Sequence, residues 1–209
     1  MQTKLETQFS FPDTIVTAHV NLPLAKDFTG RMTANPLEKS VLPDVKAQLY
    51  TARLPAILDW LHGLDHPEKF ESEPCSIPVL LYDRELSFEH LLFHYDGSPA
   101  SAGIIKHFLY LFANNIQDSK STIISPAFIP RSKLKEEQEI IQEVGNHTAE
   151  TSFIKFNFDR IGDFWSYAVK HQCTVLVTSK QHQADLAKVL FHFYKGGMWY
   201  DRLSFYLAI

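Results

Sequence analysis

The sequence predicts an α/β protein built on a five-stranded, doubly wound parallel sheet. From residue 88 onward, short apolar runs alternate with segments of helical periodicity. The runs at 91–93 and 175–177 are apolar without alternation, which is typical of strands that helices cover on both faces. The first run ends in an acid–glycine–serine turn, and open parallel sheets place their ligands at this end of a strand.

The second half of the chain provides the elements of this sheet. We predict strands at 89–95, 121–128, 152–158, 174–179 and 203–209, separated by helices at 99–115, 132–145, 160–172 and 183–195. In the first helix, Ser98 suits the N-cap and Pro99 suits the first helical position, where a missing N–H costs no hydrogen bond.

The third and fourth helices have the clearest apolar stripes. Asp159 is expected to cap the third helix. Its predicted buried residues are Ile161, Phe164, Trp165, Ala168 and Val169. The fourth helix repeats the pattern with Leu186, Val189, Leu190 and Phe193.

Residues 1–85 follow a different pattern, which we treat as an atypical N-terminal α/β extension of a domain at 86–209. We expect a strand at 14–20, a loop, a helix at about 44–61 that ends at Gly63, and a strand at 77–82. Pro55 predicts a kink or a break inside that helix. The extension is either a degenerate repeat of the later half or an unrelated cover for one edge or face of the sheet.

Composition limits the partners of the protein. The chain has 209 residues, a formal charge of −4 and 45% hydrophobic residues, so we expect a globular core and neither a nucleic-acid nor a membrane partner. The N-terminus lacks the apolar core of a signal peptide. Cys75 and Cys173 form no CxxC pair, which fits a reducing compartment. These features predict a cytoplasmic protein.

Polar residues that follow the predicted strands are the candidate ligand-binding residues. They are Asp96, Ser98, Ser125, Thr178, Ser179, Lys180 and Gln181. A carboxylate at 96 can bond a ribose or a base, a helix N-terminus can meet a phosphate, and an ammonium at 180 can hold an anion. The same residues equally suit a turn, a helix cap and a solvated loop, so both interpretations stay open.

The sequence contains no catalytic or metal-binding motif that we recognise. The nucleophile elbow, the P-loop and the dinucleotide-binding fingerprint are absent. His90 and His94 share a strand face, and His171 lies near Cys173, but neither pair has a third ligand at a typical spacing. We therefore expect no catalytic residue, no metal and no required cofactor.

Residues 89–209 resemble the universal stress protein family. The resemblance rests on YDGSPAS after the first strand, on the strand–helix order, on DRIGDFWSYAVKHQCTVLVTSK and on the last strand, LSFYLAI. It implies the fold shared with adenine nucleotide alpha hydrolases, and adenine nucleotide as the ligand to consider, with Asp96 at the nucleoside. The family's three phosphate-loop glycines fall on Thr178, Gln181 and Phe191, and its hydroxyl residue on His192. This departure disfavours the usual ATP-binding mode.

The resemblance also implies a homodimer through the terminal strand at 203–209, which follows Met198, Trp199 and Tyr200. Such an apolar strand needs a partner along its edge, and the alternative cover is the N-terminal extension. The predicted function is a non-enzymatic stress-response or regulatory module. A nucleotide sensor that uses Asp96 is the first alternative, and a nucleotide hydrolase is the second.

Overall fold

A computed structural model describes residues 7–20, 23–29, 46–83, 85–195 and 203–209, without the side chains of 193–195. The strands are β1 (Val16–His19), β2 (Leu49–Arg53), β3 (Val79–Tyr82), β4 (His90–His94), β5 (Lys120–Ser125), β6 (Glu150–Lys155), β7 (Val175–Ser179) and β8 (Ser204–Ala208). The helices are α1 (Leu54–His62), α2 (Pro99–Leu111), α3 (Leu134–His147), α4 (Ile161–His171) and α5 (Gln183–Lys195).

All of these strands belong to one sheet in the order β1-β2-β3-β8-β7-β4-β5-β6. The strands from β4 to β8 are the five predicted from the sequence, and neighbours among them pair in parallel. The expected parallel α/β sheet is therefore confirmed. Its predicted size is wrong, because the N-terminal extension adds three strands and raises the count to eight.

Helices cover both faces of the sheet, as a doubly wound fold requires. One core cluster contains buried side chains of α1, α4 and α5 together with Leu92 and Ile124. The other contains buried side chains of α2 and α3 together with Leu91, Phe93 and Ile123. Because successive residues of β4 enter opposite clusters, its apolar run needs no alternation.

Details of the last two helices differ from their predicted patterns. Arg160, not Asp159, is the N-cap of α4, and its side chain makes no capping hydrogen bond. Val169 is 39% exposed, so it does not continue the buried stripe of α4. In α5, Leu186 and Leu190 are buried, whereas the side chain of Phe193 lies outside the described residues.

The N-terminal extension contains a strand where a helix was predicted. Residues 49–53 form β2, and α1 begins only at Leu54, with Pro55 in its first turn. Proline is tolerated there but not in a helix interior, so the helix predicted for 44–61 cannot extend backward through it. The strand predicted for 14–20 is confirmed as β1, and α1 ends at Gly63 as expected.

The extension also covers the edge of β8. Strand β3 pairs antiparallel with β8 through Leu80↔Tyr206 and its neighbours, while β7 occupies the opposite edge. The prediction that 203–209 offers a free edge to a second copy is wrong, because the chain covers that edge itself. Met198, Trp199 and Tyr200 lie outside the described residues.

The order β2-α1-β3 parallels the order β7-α5-β8. In each case a helix joins two neighbouring parallel strands, and buried side chains of α1 and α5 lie in the same core cluster. This arrangement fits a degenerate repeat, which stays a prediction.

The glycines at 97 and 103 give a matched test of the turn after β4. Gly97 has φ +81°, and a Cβ added there would lie 3.1 Å from Ile129 Cδ1, whereas a Cβ at Gly103 meets nothing within 4 Å. We expect Gly97→Ala to lower the free energy of unfolding in urea by about 1–2 kcal/mol. Gly103→Ala, within α2, should raise it by about 0.5–1 kcal/mol. Equal effects of the two variants would contradict this account of the turn.

Candidate functional site

The carboxyl ends of β4 and β7 form the candidate site. These strands are parallel neighbours, with Phe93 opposite Val177. The turn after β4 and the segment after β7 therefore leave the sheet at the same edge, where the chain order of the strands reverses. A 3.0 Å hydrogen bond joins His94 Nδ1 to Thr178 Oγ1 across the two strand ends.

Asp96 and Ser98 are tied into the start of α2. Asp96 Oδ1 accepts hydrogen bonds from the Ser98 amide at 2.8 Å and the Ser101 hydroxyl at 2.5 Å. The Ser98 hydroxyl oxygen accepts from the Ser101 amide at 3.1 Å, which is the predicted N-cap. Burial opposes ionisation of Asp96, but the hydrogen bonds from Ser101 and Ser98 outweigh it, so its pKa lies below the usual value.

Two imidazoles and a phenyl ring lie beside this turn. The His94 ring is 4.4 Å from Phe164 and 5.1 Å from His182, measured between centroids. Burial, with a smaller contribution from His182, lowers the pKa of His94 to about 4. Burial also lowers the pKa of His182. The two rings are therefore uncharged at neutral pH and offer no cation to an anionic ligand.

Lys180 points away from this turn and into the N-terminal extension. Its side chain is completely buried. Its ammonium donates to Glu71 Oε1 at 2.8 Å, to the Cys75 carbonyl at 3.0 Å and to the Ile77 carbonyl at 2.7 Å. The Gln183 side-chain oxygen accepts from the Glu71 amide at 3.0 Å. This ammonium, for which the sequence left an anion and solvent both open, is therefore bound inside the chain.

The remaining candidate residues also have partners within the chain. Ser179 Oγ accepts from the Gln181 amide at 3.2 Å and caps the short 3-10 turn Lys180–His182. Thr178 is buried, whereas Gln181 is exposed. At the end of β5, Ser125 is buried and donates to Glu137 Oε1 at 2.9 Å.

Sequence reasoning missed Glu71 and the histidines as members of this region. Glu71 lies 109 residues from Lys180 in the chain, within a polar stretch that has no motif. His94 had a usable signal, since it is the last residue of an apolar strand that runs into the turn. Its contact with His182 depends on the neighbouring positions of β4 and β7, which local patterns do not encode.

Within the described ranges, no group of three or more His, Cys, Asp or Glu side chains is placed to hold a metal ion. No helix in the same ranges is both long enough and apolar enough to cross a bilayer.

Solved structures similar to this chain include universal stress proteins. Protein Rv1636 from Mycobacterium tuberculosis H37Rv is 14% identical, with a TM-score of 0.35 over 44% of this chain and 70% of that one. A universal stress protein family member from Burkholderia pseudomallei is 12% identical, with a TM-score of 0.31 over 44% of this chain and 82% of that one. A universal stress protein from Archaeoglobus fulgidus DSM 4304 is 9% identical, with a TM-score of 0.46 over 78% of this chain and 61% of that one.

Two of these structures are universal stress proteins, the family that residues 89–209 resemble. Because their TM-scores are below 0.5, the fold assignment rests on the strand order and register described above. No protein-family model matches the sequence, and no curated protein matches it.

Removal of the buried ammonium tests the Lys180–Glu71 contact. We expect Lys180→Met to lower the free energy of unfolding in urea by about 3–5 kcal/mol, since it leaves a carboxylate buried without its partner. The double variant Lys180→Met/Glu71→Leu should lose less than the sum of the single losses. The control is Lys188→Met, because Lys188 and Asp185 form an exposed pair, and its loss should stay below about 1 kcal/mol. A similar small loss for Lys180→Met would contradict the buried pair.

The buried histidines predict a loss of stability in mild acid. The pKa of His94 falls from 6.5 to about 4 on folding, and burial has the same effect on His19. The unfolded chain therefore binds protons that the folded chain does not, and stability falls as the pH drops from 6.5 toward 4. Urea unfolding at several pH values should give a slope of at most about 1.4 kcal/mol per pH unit for each histidine. His94→Asn should reduce that slope, and an unchanged slope would contradict the burial of His94.

Proposed function

We propose that the protein is a non-enzymatic stress-response or regulatory module of the cytoplasm that acts through contacts with other protein chains. The observation that carries this proposal is the complete burial of Lys180, with each N–H of its ammonium directed at an oxygen atom of residues 71–77. The segment after β7 is therefore engaged by the chain itself.

Phosphate binding requires free backbone N–H groups and, usually, a cation near them. Here the Gln181 amide donates to Ser179 Oγ, and the nearby imidazoles are uncharged at neutral pH. Residues 178–195 contain no glycine that would let a phosphate approach the backbone. These features favour a role without phosphate chemistry.

The buried cysteine supports a non-enzymatic role in the same way. Cys173 is buried in the core, and burial raises the pKa of its thiol to about 12. A thiol is a weak nucleophile until it ionises, so Cys173 is suited to packing.

One observation favours the nucleotide sensor as a second candidate function. Asp96 is exposed at the edge that also holds Thr178 and the two imidazoles. A carboxylate there can accept hydrogen bonds from a ribose. A nucleotide bound here would be held differently from one in the family, because this chain has no glycine-rich phosphate loop.

Thermal unfolding with ATP, AMP and cyclic AMP separates the two functions. A ligand that binds the folded state raises the Tm once its concentration exceeds its Kd. We expect no rise at millimolar nucleotide. A rise that disappears in Asp96→Asn, which keeps the oxygen that accepts from Ser98 and Ser101, would support the sensor and overturn our proposal. Phosphate release that depends on Asp96 would indicate a hydrolase.

A further inference from the structure

A groove lies between α4 and the segment that follows β6, and one of its residues, Phe158, contacts the buried Phe164 that lies beside His94. Its volume is about 310 Å³, and its aromatic lining consists of Phe156, Phe158, Tyr167 and His171. Strand β6 is the last strand of the sheet. The groove therefore lies at the outer end of the sheet, opposite the end that the N-terminal extension completes.

The aromatic rings of the groove form two stacks, each with one exposed and one half-buried ring. Phe156 and Phe158 stack at 5.2 Å with an interplanar angle of 10°, and Tyr167 and His171 stack at 4.1 Å with an angle of 20°. Phe156 is 43% exposed. Covering such a surface releases water from apolar area and stabilises the complex that covers it.

Opposite charges lie at the two ends of the groove on α4. Asp163, Ser166, Tyr167 and Lys170 are spaced by three and four residues, so they share one helix face. Asp163 and Lys170 are about 10 Å apart along the helix axis, and both are exposed. Among the described residues neither has an ion-pair partner.

We propose that a second copy of this chain binds this groove, with the two α4 helices antiparallel about a twofold axis. The axis passes near Ser166 and Tyr167, midway between the two charges. Asp163 of each copy then faces Lys170 of the other, and the aromatic stacks of both copies become buried. The small Ser166 side chain, which donates to the Gly162 carbonyl at 2.8 Å, lets the helices approach closely.

Charge complementarity selects a second copy as the occupant. A twofold rotation reverses the order of the charges, so the surface is complementary to itself at both ends. A foreign segment with charge of one sign would match one end and be repelled at the other. The inference rests on the proposed function in one respect, because the dimer would be one of the protein contacts through which the protein acts. Its test uses no nucleotide.

Sedimentation equilibrium of the full chain over a micromolar concentration range tests this interface. We expect the wild type to associate from a 24.0 kDa monomer to a dimer. Asp163→Lys and Lys170→Asp each turn both intermolecular contacts into like-charge pairs, so each should raise the dimer Kd about tenfold or more. The double variant Asp163→Lys/Lys170→Asp restores complementarity and should return the Kd to near the wild-type value. Higher ionic strength should weaken the wild-type dimer.

Lys106→Asp is the matched control, because Lys106 is an exposed residue of α2, which packs on the opposite face of the sheet. It should leave the dimer Kd unchanged, and thermal unfolding should show that all variants fold. A wild-type chain that stays monomeric would overturn the inference. A dimer that neither single reversal weakens, or one that the double variant does not restore, would overturn this interface while leaving the nucleotide result unaffected.

Discussion

The buried ammonium of Lys180 joins the two parts of the chain. It follows β7 in the parallel sheet, and its acceptors are Glu71 and two carbonyl groups of the N-terminal extension. A charge without water is stable only when its hydrogen bonds are all made, so residues 71–77 must stay in place while the sheet is folded. The extension is therefore part of the fold at the carboxyl end of β7, and the conformation of the segment that follows β7 depends on it.

Two places that the family resemblance marks as functional are contacted by the N-terminal extension. The segment after β7, where the family has its phosphate loop, is bound by residues 71–77. The edge of β8, where a second copy was expected, is paired with β3. Described residues of the N-terminal extension thus contact the segment after β7 and cover the edge of β8. At the other end of the sheet, β6 has no further strand beside it among the described residues, and α4 carries the exposed aromatic groove.

Local patterns predicted the elements that depend on local causes. The apolar runs of β4 and β7 and the stripe of α4 were visible because each residue's environment follows from its own spacing. Strand β2 was mistaken for helix because it runs directly into α1, and the extended form is selected by pairing with β1 and β3, which are distant in the chain. Lys180 was misplaced for a related reason, since its carboxylate partner is 109 residues away. Contacts of that separation leave no periodic signal.

Hydrogen exchange at the Glu71 amide tests most directly whether the extension is held over the end of β7. That amide donates to the buried side chain of Gln183. If the account is right, the Glu71 amide exchanges as slowly as the amides of β7, because both open only when the sheet unfolds. Exchange within seconds at Glu71 while β7 stays protected would contradict it.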